Sequence, residues 1–169
     1  HTPLITLILA GVAVSSLAVA ATSYLMLANQ RDSIVILSWL LGGFNGSSWS
    51  RMLFIAPYAV PAAAVIFFHG RILNVLQLDD QQAMQLGVNV ERTKLIVLVA
   101  ASLAAAAAVA VAGIIGFVGL IVPHLVRLVA GPDYRRLLPL SAIAGAAFLI
   151  LADVAARTAI SPGELPVGV

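Results

Sequence analysis

The 32 residues Leu95–Val126, LIVLVAASLAAAAAVAVAGIIGFVGLIVPHLV, contain no Asp, Glu, Lys or Arg. As a single α-helix this stretch would be about 48 Å long, whereas the hydrocarbon core of a bilayer is about 30 Å thick. The stretch is therefore apolar enough to cross a membrane, but it is too long to cross only once. We predict that it breaks into two membrane helices.

The break is marked by residues that interrupt helices or allow close helix packing, namely Gly113, Gly116, Gly119 and Pro123. We place one helix over about 93–112 and a shorter one over about 117–130. The alanine-rich part of the first helix, Ala104–Ala112, has small side chains that let helices approach closely where lipid provides no hydrophobic drive. We interpret that part as a packing surface.

Three further apolar runs predict three further crossings, over about 4–28, 52–69 and 137–160. The composition agrees, because 62% of the residues are apolar and 9% are charged, against about a quarter charged in soluble domains. The predicted fold is therefore all-α. Residues 1–169 are expected to form one polytopic transmembrane bundle of about five helices, with short interfacial and coupling helices.

Composition and motifs also exclude several functions. A net charge of +2 that is dispersed along the chain argues against a nucleic-acid partner, and the absence of cysteine excludes disulfides and thiolate metal sites. The sequence contains no GxxxxGK[ST], HExxH or GxSxG motif. We expect no catalytic residues, no metal site and no cofactor, and we expect membrane lipid as a partner.

The positions of the basic residues predict the orientation. One set of loops carries Arg71, Arg92, Lys94, Arg127, Arg135 and Arg136, and the other carries Arg31, Arg51 and Arg157. Six basic residues against three favour a cytoplasmic location for the polar loop, residues 70–92. The chain is then expected to be a fragment that starts inside and ends outside.

Within the polar loop, Leu78–Gly87 has the pattern of a short helix outside the membrane. Asp79 or Asp80 can cap its start, Ala83 and Leu86 share a face, and Gly87 can end it. Two interpretations fit this pattern equally well. The helix is either a connector lying on its own bundle or a docking element for another protein.

Asp153 and Arg157 lie in the last predicted crossing with i,i+4 spacing, so they share a helix face and can pair. An isolated Asp at the bilayer centre costs about 2.5–3.5 kcal/mol on insertion scales, so Asp153 requires a partner or a position near the interface. The pair is either self-neutralising or leaves Arg157 near the outer surface to reach an acidic group on a partner or substrate.

Several motifs in fixed order resemble a known family. They are Gly116–Arg127 (GFVGLIVPHLVR), Gly131–Pro139 (GPDYRRLLP), Leu151–Asp153 (LAD), Ala156–Arg157 and Glu164–Gly168 (ELPVG). Together they resemble the FecCD-type permease subunits of ABC importers for iron-siderophores, haem and cobalamin. The resemblance covers essentially the whole chain and implies that the chain matches the C-terminal half of such a subunit.

The resemblance also implies partners. The segment around 78–88 would form coupling helices that fit a cleft on a cytoplasmic ABC ATPase dimer, through Asp80, Gln82, Ala83, Leu86, Gly87 and Val88. Arg157, oriented by Asp153, would dock a periplasmic or lipoprotein substrate-binding protein. A second permease subunit, identical or different, would complete the membrane domain. One departure is Asp79, which stands where the family usually has Gly.

The expected function is therefore that of a multi-pass permease in the bacterial cytoplasmic (inner) membrane. It would import a metal chelate while a separate subunit hydrolyses ATP. One alternative is a fragment of an ion-coupled secondary transporter, for which Asp153 is the candidate carboxylate. The other is a membrane scaffold with no transport role.

Overall fold

The computed structural model describes residues 4–28, 33–44 and 47–159, and within these ranges all regular secondary structure is helical. The helices are α1 (Leu4–Ala28), α2 (Ser33–Leu40), α3 (Trp49–Phe68), α4 (Gly70–Val75), α5 (Asp80–Gln85), α6 (Val90–Ala112), α7 (Val118–Ala130) and α8 (Tyr134–Ala159). The predicted all-α fold is confirmed. The chain divides between Leu40 and Leu41 into two compact units.

The first unit contains α1 and α2. α1 is a helix of 25 residues without a charged side chain, and Ile8–Ala28 is long and apolar enough to cross a membrane. Two of its polar side chains turn back onto the helix: the hydroxyls of Ser16 and Thr22 each donate to the carbonyl four residues earlier, at 2.9 Å. These groups therefore need no external partner in lipid.

The second unit contains α3 to α8 and supplies three more helices that are long and apolar enough to cross a membrane: Trp49–Phe68, Val90–Ala112 and Tyr134–Thr158. α3 continues through Pro57 and Pro61 without a change of helix type. Many large apolar side chains on these helices are exposed, such as Phe54 at 75% and Leu98 at 60%. A surface of this kind suits lipid or further protein rather than water.

α7 is shorter than the others, with 13 residues. Its length of about 20 Å falls short of the bilayer core of about 30 Å. The long apolar stretch breaks at residues 113–117, where Gly113 and Phe117 have positive φ angles of 69° and 63°. α7 is thus the shorter of the two helices predicted for this stretch.

The helix break does not extend over all four residues that we proposed for it. Gly113 and Gly116 lie in the break, but Gly119 and Pro123 lie inside α7. The helix continues through Gly119 and Pro123, since Pro123 removes only one backbone donor and membrane helices tolerate such a residue. Gly116 and Gly119 face open space within the described residues, so a role in close packing would require a partner outside them.

Small side chains form the interface between α3 and α6. Ala62 of α3 and Ala100 of α6 are buried and line one groove between the helices. Ala107 is also buried and Ala104 is half-buried, so the buried alanines of α6 recur at intervals that place them on one face. The packing surface predicted in the alanine-rich stretch is therefore one stripe, while Ala105, Ala106, Ala108 and Ala110 are exposed.

The loops of the second unit lie at two opposite ends. At one end the Gly43 N–H donates to the Ala112 carbonyl at 2.8 Å, so the chain before α3 meets the end of α6. Gly42 sits so close to the carbonyl of Ile114 that a side chain would collide with it. At the other end α4 packs on the start of α8. The polar loop and the turn between α7 and α8 therefore share one end, as the alternation of crossings requires.

Candidate functional site

α5 is a short helix with defined ends on the polar loop. Asp79 precedes it in an extended conformation and its carboxylate accepts from the Asp80 N–H at 2.9 Å. At the other end Gly87 has φ +80°, its N–H donates to Met84, and the Val88 N–H donates to the Ala83 carbonyl at 3.2 Å. This pair of bonds is the Schellman arrangement, which requires a left-handed residue at the position of Gly87.

Two contacts hold α5 against the start of α6. Ala83 is completely buried, and Val90 and Thr93 on the first turn of α6 are buried as well. Lys94 Nζ lies 2.8 Å from both carboxylate oxygens of Asp80. Because both charged side chains are more than half exposed, this ion pair contributes only about 0.2–1 kcal/mol. The burial of Ala83 is therefore the main attachment.

Apart from Ala83, the residues of α5 and those that flank it are exposed. Exposed apolar side chains are Met84 at 57%, Leu86 at 64% and, just before the helix, Leu78 at 47%. The amides of Gln81, Gln82 and Gln85 are exposed between them. Methionine and leucine flanked by neutral hydrogen-bonding groups, with little charge, form a surface that suits a protein partner.

The residues predicted to contact an ATPase fall into two groups. Asp80, Gln82, Leu86 and Gly87 are exposed. Ala83 is buried and Val88 is half-buried. All six residues therefore lie on one short segment. Ala83, however, is on the inner side of α5 and supports the helix from inside the chain.

The predicted pair at the end of α8 is formed. Arg157 Nε donates to Asp153 Oδ2 at 2.8 Å, with 47% of the arginine side chain and 20% of the aspartate side chain exposed. The other carboxylate oxygen of Asp153 is buried and has no hydrogen-bond partner among the described residues. Arg157 is about 34 Å along the helix from Tyr134, so the pair and α5 lie at opposite ends of the unit.

The structure also contains a polar cluster that sequence reasoning missed, which we call the clasp: Asn74, Gln77, Asp133 and Tyr134. Asn74 Nδ2 donates to Asp133 Oδ1, and Asn74 Oδ1 accepts from the Tyr134 N–H at 2.7 Å. Gln77 Nε2 donates to the Pro132 carbonyl at 3.0 Å. The clasp therefore joins the polar loop to the turn that starts α8.

The carboxylate of Asp133 has a lowered pKa. The largest cause is the hydrogen bond from the Asn74 side chain, followed by the bond from the Arg135 backbone N–H at 2.9 Å. Desolvation opposes these two hydrogen bonds and raises the pKa, while the positive charges of Arg135 and Arg136, each a smaller effect, lower it. Asp133 is consequently ionised at neutral pH and acts only as an acceptor in the clasp.

In the described ranges, no three His, Cys, Asp or Glu side chains come close enough together to hold a metal ion. The polar side chains discussed above make hydrogen bonds and ion pairs rather than a reactive constellation. The arrangement can therefore bind and transmit force, and it offers surfaces at both ends of the unit.

Comparison with known proteins gives consistent matches along the chain. A model of the FecCD transport family matches residues 1–169. The cobalamin import system permease protein BtuC of Halobacterium salinarum is 49% identical over 169 residues, which are 100% of this chain and 45% of that protein. The hemin transport system permease protein HmuU of Yersinia pestis is 41% identical, over 99% of this chain and 51% of that protein.

Two further matches agree. The Fe(3+) dicitrate transport system permease protein FecC of Escherichia coli is 40% identical over 96% of this chain and 49% of that protein. A solved structure described as an inward-facing conformation of a metal-chelate type ABC transporter has a TM-score of 0.90 and 32% identity, covering 99% of this chain and 56% of that one. The chain spans about half the length of the curated relatives it matches.

Proposed function

The chain belongs to the FecCD transport family, and from that premise we propose that it forms part of the permease subunit of an ATP-binding-cassette importer. The proposed substrate is a metal chelate of the iron-siderophore, haem or cobalamin class. With four helices long and apolar enough to span a bilayer, the chain is a multi-pass protein of the cytoplasmic (inner) membrane. ATP hydrolysis belongs to a separate subunit.

The observation that carries this proposal is the placement of α5. An exposed apolar and amide face points away from the chain while buried Ala83 holds the helix from behind. We propose that this face docks on the ATPase dimer. A docking element has to be rigidly attached to transmit movement, and the attachment of α5 to α6 meets that requirement.

The attachment suggests how movement would reach the membrane. When ATP closes the ATPase dimer, the push on α5 passes through Ala83 and the Asp80–Lys94 pair into the first turn of α6. α6 packs along α3, so both helices would tilt together. Such tilting changes which side of the membrane the central path opens to.

At the opposite end we propose that Arg157 docks the substrate-binding protein. Asp153 holds the guanidinium by its Nε, and almost half of the side chain remains exposed. A guanidinium presents several donors, so one N–H can donate to Asp153 while exposed N–H groups donate to a carboxylate of the partner. A second permease subunit would cover part of the exposed apolar surface, and lipid would cover the rest.

The test uses the full-length subunit co-expressed with its ATPase and reconstituted in proteoliposomes. We expect co-purification with the ATPase, and ATP-dependent uptake of one of the three chelates when the binding protein is present. An ATPase variant that binds ATP without hydrolysing it is the matched control and should abolish uptake.

Two results would contradict the proposal. Uptake driven by a proton or sodium gradient without any ATPase would identify a secondary transporter. Stable folding with neither ATPase association nor uptake would identify a scaffold.

A further inference from the structure

We propose that Asn74 is a positioning residue that makes the polar loop and α8 move as one body. The inference rests on the proposed function, because it concerns how movement of α5 reaches the rest of the permease. The clasp is a set of side-chain contacts that joins residues 59 and 60 positions apart in the described chain. It fixes two elements relative to each other, which a local hydrogen bond cannot do.

Asn74 is suited to this task because it donates and accepts at once. Its Nδ2 donates to the ionised carboxylate of Asp133, and its Oδ1 accepts the Tyr134 N–H at 2.7 Å. Because this N–H lies in the first turn of α8, it has no hydrogen-bond acceptor within its own helix. A leucine would leave the Tyr134 N–H without a partner and Asp133 with only the Arg135 N–H, and an aspartate would place two carboxylates together.

The backbones at this point are also close. Gly70, the first residue of α4, is buried, and a Cβ built on it would lie 3.6 Å from the Cα of Arg135. α4 therefore lies directly on the first turn of α8. The clasp hydrogen bonds sit at the other end of α4, so this short helix is fixed to α8 along its whole length.

α5 is consequently attached on both sides. On one side, Ala83 and the Asp80–Lys94 pair attach α5 to α6. On the other side, the chain that precedes α5 is attached to α8 through α4 and the clasp. α8 carries Arg157 at its far end, about 34 Å away. The clasp thus connects the surface proposed for the ATPase to the helix that presents the surface proposed for the binding protein.

The test exchanges the two members of the charged hydrogen bond. In N74D the donor is lost and two carboxylates face each other, so the clasp should open. In the double variant N74D/D133N the new amide at position 133 can donate to the new carboxylate while its oxygen still accepts the Arg135 N–H. The matched control is N89A, because Asn89 lies on the same loop but only caps α6 locally, through Arg92 N–H at 3.0 Å.

The readout is the ATPase rate of the full-length complex in proteoliposomes, with and without the binding protein. We expect N74D to keep its basal rate and to lose stimulation by about fivefold or more, in line with the loss of a charge-assisted hydrogen bond. N74D/D133N should recover most of the stimulation, and N89A should match the wild type. A purely structural role would lower basal rate and thermal midpoint together.

A second measurement covers a variant that folds poorly. Spin labels on cysteines replacing exposed Arg71 and Ala142, in a stretch with no native cysteine, report the distance between α4 and α8. The clasp predicts a narrow distribution that stays the same in nucleotide-free and vanadate-trapped wild type and broadens in N74D. If N74D kept the stimulation of the wild type and an unchanged distance distribution, this inference would be overturned and the proposed function would stand. If the wild-type permease bound no ATPase, the proposed function would be overturned as well.

Discussion

The two ends of the unit that begins at Leu41 hold their polar side chains in different ways. At the α5 end the contacts join separate elements: Asn74 to Asp133, and Lys94 to Asp80. At the Arg157 end the pair with Asp153 lies within one helix, four residues apart. Contacts of the first kind fix one element against another, whereas a contact of the second kind orients a single side chain.

This difference indicates which end of the unit transmits force. A helix that has to push on the membrane domain requires attachments to several elements, and α5 has them. A side chain that has to recognise a partner requires only orientation and exposure, and Arg157 has both. Substitutions at the α5 end should therefore disturb coupling, and substitutions at the Arg157 end should disturb recognition more than coupling.

The largest effect is expected for Ala83→Arg. Ala83 has no exposed surface, so a guanidinium there has to push α5 away from α6 or bury a charge, at a cost of about 3 kcal/mol or more. We expect about a 100-fold loss of ATPase association, measured as ATPase retained on immobilised full-length permease. Glu91→Arg, at an exposed position on the first turn of α6, is the control and should stay within about threefold. Equal retention of both variants would refute the role of Ala83.

The end of the unit opposite α5 also has a contact between residues far apart in sequence, but backbone atoms make this contact. Gly42→Ala tests it. Gly42 has φ +67° and leaves no room for a Cβ beside the Ile114 carbonyl. Strain and collision together should cost about 2–4 kcal/mol, seen as a lowered thermal midpoint in detergent. Gly11→Ala, which meets open space inside α1, should be neutral or slightly stabilising. Similar midpoints for both variants would count against the close approach.

The structural features of the unit also differ in how well the sequence predicts them. The apolar runs and the Gly113 break predict the long helices because lipid requires a length and a polarity that a sequence displays directly. Gly87 ends α5 for a reason equally visible in the sequence, since glycine tolerates a positive φ. The prediction of a helix break at Gly119 and Pro123 is wrong, because a membrane helix tolerates glycine and proline in its interior.

The clasp lies beyond such reasoning. Asn74 has no partner near it in sequence except Gln77, and the separation of 59 positions between Asn74 and Asp133 carries no periodic signal. The Asp153–Arg157 pair is readable because helical spacing alone brings the two side chains together. Long-range polar contacts require the packing of α4 on α8 to be known first.

A smaller effect is expected at the Arg157 end. Arg157→Glu places a carboxylate where a partner carboxylate is proposed to bind, and it also repels Asp153. We expect binding-protein affinity to fall about 10- to 30-fold, measured by titration of labelled binding protein onto the full-length complex. Arg157→Lys keeps the charge without the forked geometry and should lose less. ATPase association should not change in either variant; loss of both associations in Arg157→Glu would mean a folding defect instead.

The smallest effect is a pH dependence confined to the clasp. Because the folded structure lowers the pKa of Asp133 from its ordinary value of 3.8, the stabilisation is fully present above that value and is lost as the pH falls through the lowered pKa. The distribution of distances between spin labels at positions 71 and 142 should therefore stay constant from about pH 8 to pH 5, and broaden only below about pH 4. Asp133→Asn removes the titrating group while keeping an acceptor for Asn74 and Arg135, so its distribution should not respond to acid. Broadening in the neutral range, or acid broadening that persists in Asp133→Asn, would show that another group controls the attachment of α4 to α8.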